Sequence, residues 1–89
     1  MKLTREQVYA LIDGEREYQD KRWTIESGAR VVHSPEEWLV YIEDYVNEAK
    51  HIMAREAYGI CEFKAMSIMR KIAALAVCAM EQNGSSPRN

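Results

Sequence analysis

The chain has no long apolar run. Its longest, IAALAVCAM from Ile72 to Met80, is nine residues, and a helix that crosses a bilayer needs about 20. The opening stretch, MKLTREQ, has no apolar segment of signal-peptide type. Together these absences lead us to expect a cytoplasmic protein with no membrane partner. Excess charge of one sign is also missing. The net charge is -2 and the pI is near 5.7, so no general attraction to a nucleic-acid polymer is expected. Cysteine is scarce. Cys61 and Cys78 are too far apart for a zinc or redox spacing. They read as small buried hydrophobes of a reducing compartment, with no basic neighbours to activate them. There is no glycine-rich phosphate loop, no HExxH and no Ser-His-Asp set of plausible geometry. Internal repeats, low-complexity tracts and strand patterns are absent too.

What is present is a helical pattern. Eighty-nine residues make one domain, and a chain this short buries only a little over ~60% of its unfolded surface. An apolar content of 47% suffices for a core and suggests that a second subunit covers part of the remainder. The expected fold is all-α: one domain over residues 1–82, with helices at about 4–22, 35–57 and 62–82.

Thr4 with Gln7 starts the first helix as a capping box. Val8, Leu11, Ile12, Glu15 and Tyr18 follow at helical spacing. Gly14 interrupts this helix, and a packing contact is the expected reason. Residues 24–33 read as a loop, long enough to be functional or ordered by a ligand or partner.

The second helix carries the clearest start signal: Ser34 as N-cap, Pro35 at the first position and Glu37 closing the box. Trp38, Ile42, Tyr45, Ala49 and Ile52 form its apolar stripe, widened by Leu39, Val46 and Met53. The helix should stop before Gly59.

In the third helix Met66, Met69, Ile72, Ala73, Ala76, Val77 and Met80 are the expected inner face. From Ile72 onward it is apolar all round, so both sides need cover. That predicts a homodimer or higher oligomer built on this helix. Residues 83–89 read as a flexible tail.

Three clusters could carry chemistry. Glu37, Tyr41, Asp44, Glu48 and His51 share one face of the second helix. They are either a solvated face or half of a site for a hard cation, which wants carboxylates converging from more than one element. Arg70 and Lys71 could bind phosphate, or pair with Glu43 or Asp44. The segment EREYQDKRW sets the donors Arg16, Gln19, Lys21 and Arg22 beside Tyr18 and Trp23. Donors beside rings suit a nucleotide, with phosphate on cations and base on ring; they equally suit the end of an amphipathic helix. His33 could meet phosphate or close the loop before Ser34.

The segments ERxYQxxxW, HSxxEWLxYIxDYxxEA and RKIAxxAVxxMEQxG, spanning Glu15 to Gly84, resemble a family of small phage-encoded proteins. That family is similar to the MazG-like, all-α nucleoside triphosphate pyrophosphohydrolases. The resemblance implies a helical oligomer that holds magnesium with two acidic pairs and cleaves between the α and β phosphates. In the EExxE helix of such enzymes the first two acids fall on Glu43 and Asp44. The third falls on Asn47, with Glu48 one place late. The second acidic motif has no match, because its register offers Ser67, Arg70 and Lys71.

Cations in place of carboxylates weaken a metal site and present charge to phosphates directly. The resemblance therefore implies a phage protein of the infected host's cytoplasm that binds a phosphorylated, cyclic or modified nucleotide without a cofactor. Sequestration of that signal would counter antiviral defence. The expected ligand residues are Arg16, Gln19, Trp23, His33, Trp38, Tyr41, Tyr45, Glu48, Arg70 and Lys71. One alternative is a magnesium-dependent pyrophosphohydrolase using Glu43, Asp44 and Glu48 with an acid from elsewhere, such as Glu62 or Glu81. Another is a helical interaction module without a ligand.

Overall fold

The computed structural model describes residues 1–23 and 31–88. Of the loop expected over residues 24–33, residues 24–30 therefore lie outside the described residues. Among the described residues the chain is all-α: α1 Arg5–Trp23, α2 Pro35–Arg55 and α3 Ile60–Asn83. No helix among them is long and apolar enough to cross a membrane.

Both expected capping boxes form. The Gln7 N–H donates to Thr4 Oγ1 at 3.2 Å, and the Thr4 N–H donates to Gln7 Oε1 at 2.8 Å. At the start of α2 the Glu37 N–H donates to Ser34 Oγ at 3.2 Å, and the Ser34 N–H donates to Glu37 Oε1 at 3.0 Å. Such reciprocal bonds satisfy backbone donors that a helix start leaves orphaned.

The Glu37 carboxyl is held below its ordinary value of 4.5, first by the Ser34 backbone bond, then by the Ser34 hydroxyl and His33. A depressed folded-state pKa contributes stability above 4.5, and that contribution is lost as the pH falls through the lowered value. Ser34→Ala is expected to cost about 1 kcal/mol at neutral pH. The gap between wild type and variant should narrow in acid. Urea unfolding at pH 7 and pH 3 checks this, and a gap of equal size at both would remove Glu37 from the explanation.

Three boundaries differ from expectation. α2 ends at Arg55, where the Glu56 N–H donates to the Ile52 carbonyl at 2.9 Å. Gly59 does not close α2; with φ 91° it turns the chain into α3, which starts two residues before Glu62. Only a residue without Cβ adopts that φ cheaply. α3 also takes in Asn83, expected in the tail. Its side chain donates back to the Ala79 carbonyl at 3.0 Å, and Gly84, φ 81°, ends the helix.

α3 is the central element. α2 runs antiparallel to it. Trp38 Nε1 donates to Gln82 Oε1 at 3.0 Å at one end, and Lys64 Nζ meets Glu56 Oε1 at 2.8 Å at the other. α1 packs on α3 in the same direction. Near the start of α3, Leu3 and Val8 share a groove with Phe63 and Met66, and near its end Arg16 reaches Glu81. The backbones of α1 and α2 do not pack on each other. The two helices meet where the rings of Trp23 and Trp38 lie 6.1 Å apart.

The core is Trp38, Leu75 and Cys78, with Trp23, Ile42, Tyr45 and Ala79 packed around it. Both cysteines are free thiols and buried, as their surroundings in the sequence suggest.

The faces of α1 and α3 correct the periodicity reading. The buried residues of α3 are Cys61, Ile68, Ala74, Leu75 and Cys78, whereas Met66, Met69 and Met80 are exposed. Those of α1 are Arg16 and Gln19, whereas Val8, Leu11 and Tyr18 are exposed. A helix that is apolar all round has no preferred side in its own sequence, and α2 and α1 choose the side here. A Cβ at Gly14 would meet nothing within 4 Å, so the packing contact expected there is not formed within the chain.

Candidate functional site

Ring spacing on α2 creates the site. Trp38, Tyr41 and Tyr45 recur at three and four residues and so share one side of the helix. Trp23 closes this side from the end of α1, Leu75 forms the floor from α3, and Val31 and His33 arrive just before α2. Together with Asp44 they line a cavity of about 300 Å³.

The rings brace one another edge to face. Trp38 and Tyr41 are 6.0 Å apart at 89°, His33 and Tyr41 5.0 Å at 76°, and His33 and Trp38 5.2 Å at 85°. These arrangements set a ring's positive edge against its neighbour's negative face.

Gln82 holds the cavity wall together. Its Oε1 accepts from Trp38 Nε1 at 3.0 Å and from the His33 N–H at 3.0 Å, and its Nε2 donates to the Val31 carbonyl at 2.9 Å. Asn83 Nδ2 donates to the His33 carbonyl at 3.3 Å, and His33 Nδ1 lies 3.3 Å from Glu37 Oε2. Sequence reasoning missed Gln82. It stands within the MEQxG segment, but a single amide at a helix end carries no spacing signal.

Five of the expected ligand residues therefore come together: Trp23, His33, Trp38, Tyr41 and Tyr45. The other five do not join them on the cavity wall. Arg16 is buried and bonded: Nε and Nη2 hold the two oxygens of Glu81 at 3.0 Å each, Nη1 donates to Gln19 Oε1 at 3.1 Å, and Nη2 donates to Asp20 at 2.9 Å. The hydrogen bond to Glu81 raises the Arg16 pKa against the opposing effect of burial. Gln19 is thus a strut for Arg16 and does not reach the cavity.

Arg70 pairs with Glu15 at 2.9 Å, not with Glu43 or Asp44 as one of its two readings had it, and it lines the groove between α1 and α3. Lys71 is half-buried, one helical turn before Leu75 of the cavity floor, and forms no ion pair among the described residues. Glu48 is exposed.

The acids fit the resembled magnesium site poorly. Of Glu43, Asp44 and Glu48, Asp44 alone lines the cavity, and the other two are exposed. Among the described residues no group of three or more His, Cys, Asp or Glu side chains is placed to hold a metal ion. A hard cation needs several oxygen ligands, and one carboxylate does not supply them. Set against protein families, curated proteins and solved structures, the chain matches none.

Proposed function

We propose that this chain is a nucleotide-binding protein that does not turn its ligand over. The observation that carries the reading is the aromatic cavity with one carboxylate on its wall. A volume of about 300 Å³ is at the lower end of the range for small-molecule sites. It suits a single base, with sugar and phosphates projecting out. Base-to-ring stacking contributes about 1–3 kcal/mol per base. A carboxylate accepts hydrogen bonds and cannot donate them, so Asp44 selects a base that presents N–H groups. Of the three cations expected on phosphate, Arg16 is committed to Glu81 and Arg70 lies in the groove between α1 and α3, which leaves Lys71. A phage protein that holds a cyclic or modified signalling nucleotide in this way, unhydrolysed, removes it from the host's antiviral response.

Calorimetry against a nucleotide panel, with magnesium or with chelator, tests the reading. Chromatography of the recovered ligand completes it. The expected result is binding indifferent to chelator, with the ligand returned intact. Asp44→Asn should weaken binding about tenfold or more, since a hydrogen bond to a charged group contributes about 1.5–3 kcal/mol. No heat and no thermal shift at millimolar nucleotide would end the proposal. Magnesium-dependent release of pyrophosphate, lost in Asp44→Asn, would instead restore the pyrophosphohydrolase alternative.

One observation favours a second reading. Rings at nearly right angles beside a carboxylate also form a cage for an alkylated ammonium group. Choline titrated in the same calorimeter separates the two. Heat with choline and none with nucleotides would assign the cavity to a cation.

A further inference from the structure

A second groove, of about 530 Å³, lies between α1 and the first half of α3 and shares no lining residue with the aromatic cavity. Its walls are apolar and open: Phe63 is 77% exposed, Met66 63%, Met69 51% and Leu11 49%. Scattered exposed apolar residues are ordinary, whereas a contiguous patch marks an interaction surface.

The size of the surface left open points to a large partner. The chain exposes 7211 Å², against roughly 5,400 Å² for a compact monomer of 10.3 kDa. Its radius of gyration is 14.7 Å, against about 12 Å for a compact domain of this length. Part of the excess belongs to the exposed stretch after Gly84, and the groove adds exposed apolar side chains to it. The whole excess, roughly 1,800 Å², is an upper bound for the groove's share, and it falls within what one protomer buries in an obligate homodimer, about 1,000–2,500 Å².

The charge pattern names the partner. Glu62, Met66 and Arg70 are spaced by four residues and all line the groove. A two-fold axis makes an interface that must complement itself. With two α3 helices antiparallel about Met66, Glu62 faces Arg70 of the second copy, and Phe63 faces its Met69. Glu62 forms no ion pair among the described residues. Among the described residues Arg70 uses only Nε, on Glu15, which leaves its terminal nitrogens as donors for an acceptor across the groove.

We propose that this groove is the interface of a homodimer, closed by α3 against α3 of a second copy about Met66. The proposal does not depend on what the aromatic cavity binds. Sedimentation of the full chain at micromolar concentration should give twice 10.3 kDa. Met66→Glu should sediment as a monomer with its helical circular dichroism intact, because Met66 is exposed within the protomer.

Glu62→Arg and Arg70→Glu should each weaken self-association at least tenfold, since each sets like charges opposed. An equimolar mixture of the two variants should recover a dimer, because every substituted side chain then faces an opposite charge. The mixture also decides the matter if Met66→Glu does not fold. A monomeric wild type, a dimeric Met66→Glu, or a mixture no more associated than its parts would each overturn the proposal.

Discussion

Trp38→Ala is expected to produce the largest loss of stability of any single substitution in α2, about 3–5 kcal/mol. Trp38 is 2% exposed and is the largest side chain of the buried cluster. Its removal takes ring contacts from Trp23, His33 and Tyr41 and opens a void beside Leu75. It also deprives Gln82 Oε1 of one of its two donors. A domain of this size has a total stability of about 5–15 kcal/mol, so the variant should be partly unfolded near its working temperature. Trp38→Phe keeps most of the ring and loses only the N–H, at a cost of about 1 kcal/mol for the hydrogen bond plus a small packing term. Thermal melts followed by far-ultraviolet circular dichroism check the order. A Trp38→Ala midpoint no lower than that of Ser34→Ala would show that the cluster is not the core.

That prediction has a consequence for the cavity. Trp38 serves both the core and the cavity wall, so loss of binding in Trp38→Ala could not be separated from loss of structure. Asp44 and Tyr41 are exposed at the rim. Tyr41 braces Trp38, whereas Asp44 belongs to no ring pair, so Asp44→Asn leaves the buried cluster intact and reports on ligand alone.

How much of this was legible in sequence depended on how locally each feature is determined. α2 was clear because Ser34, Pro35 and Glu37 act within one turn, and because its rings alternate with acids. Its stripe from Trp38 through Ile42 and Tyr45 is indeed the packed side. α3 was clear as a helix and unreadable as to face, since Leu75 and Cys78 differ little in polarity from Val77 and Met80. The choice among equivalent stripes is made by α2 and α1, tens of residues away. Partner choice for the arginines was hidden for the same reason. Arg16 meets Glu81 across 65 positions, and Arg70 meets Glu15 across 55. Periodicity reports one helix at a time, and a bridge between helices has no period. The rings of the cavity were found because three of them sit on one helix. Gln82 was missed because three of its four side-chain bonds go to other segments.

Arg16→Ala is the second large effect expected, and it tests the least legible feature directly. The guanidinium side chain is 7% exposed and makes four hydrogen bonds to Glu81, Gln19 and Asp20. Removing one member of a buried pair leaves the other desolvated and uncompensated, typically at about 3–5 kcal/mol. Here the acids are 37% and 42% exposed on their side chains, so water compensates them in part and about 2–3 kcal/mol is the expected cost. At about 4–8 °C per kcal/mol for a domain of this size, the melting midpoint should fall by on the order of 15 °C. Arg16→Lys keeps the charge and loses the planar fork that grips both oxygens of Glu81, so it should recover less than half of the loss. A double-mutant cycle of Arg16→Ala with Glu81→Gln should show a coupling of at least 1 kcal/mol. If Arg16→Ala instead melts like wild type and abolishes nucleotide binding, the guanidinium faces the ligand and its pairing with Glu81 is incidental. If it lowers the midpoint and leaves binding per folded molecule unchanged, Arg16 is the tie between α1 and α3, and the phosphate must be met elsewhere, with Lys71 as the next residue to substitute.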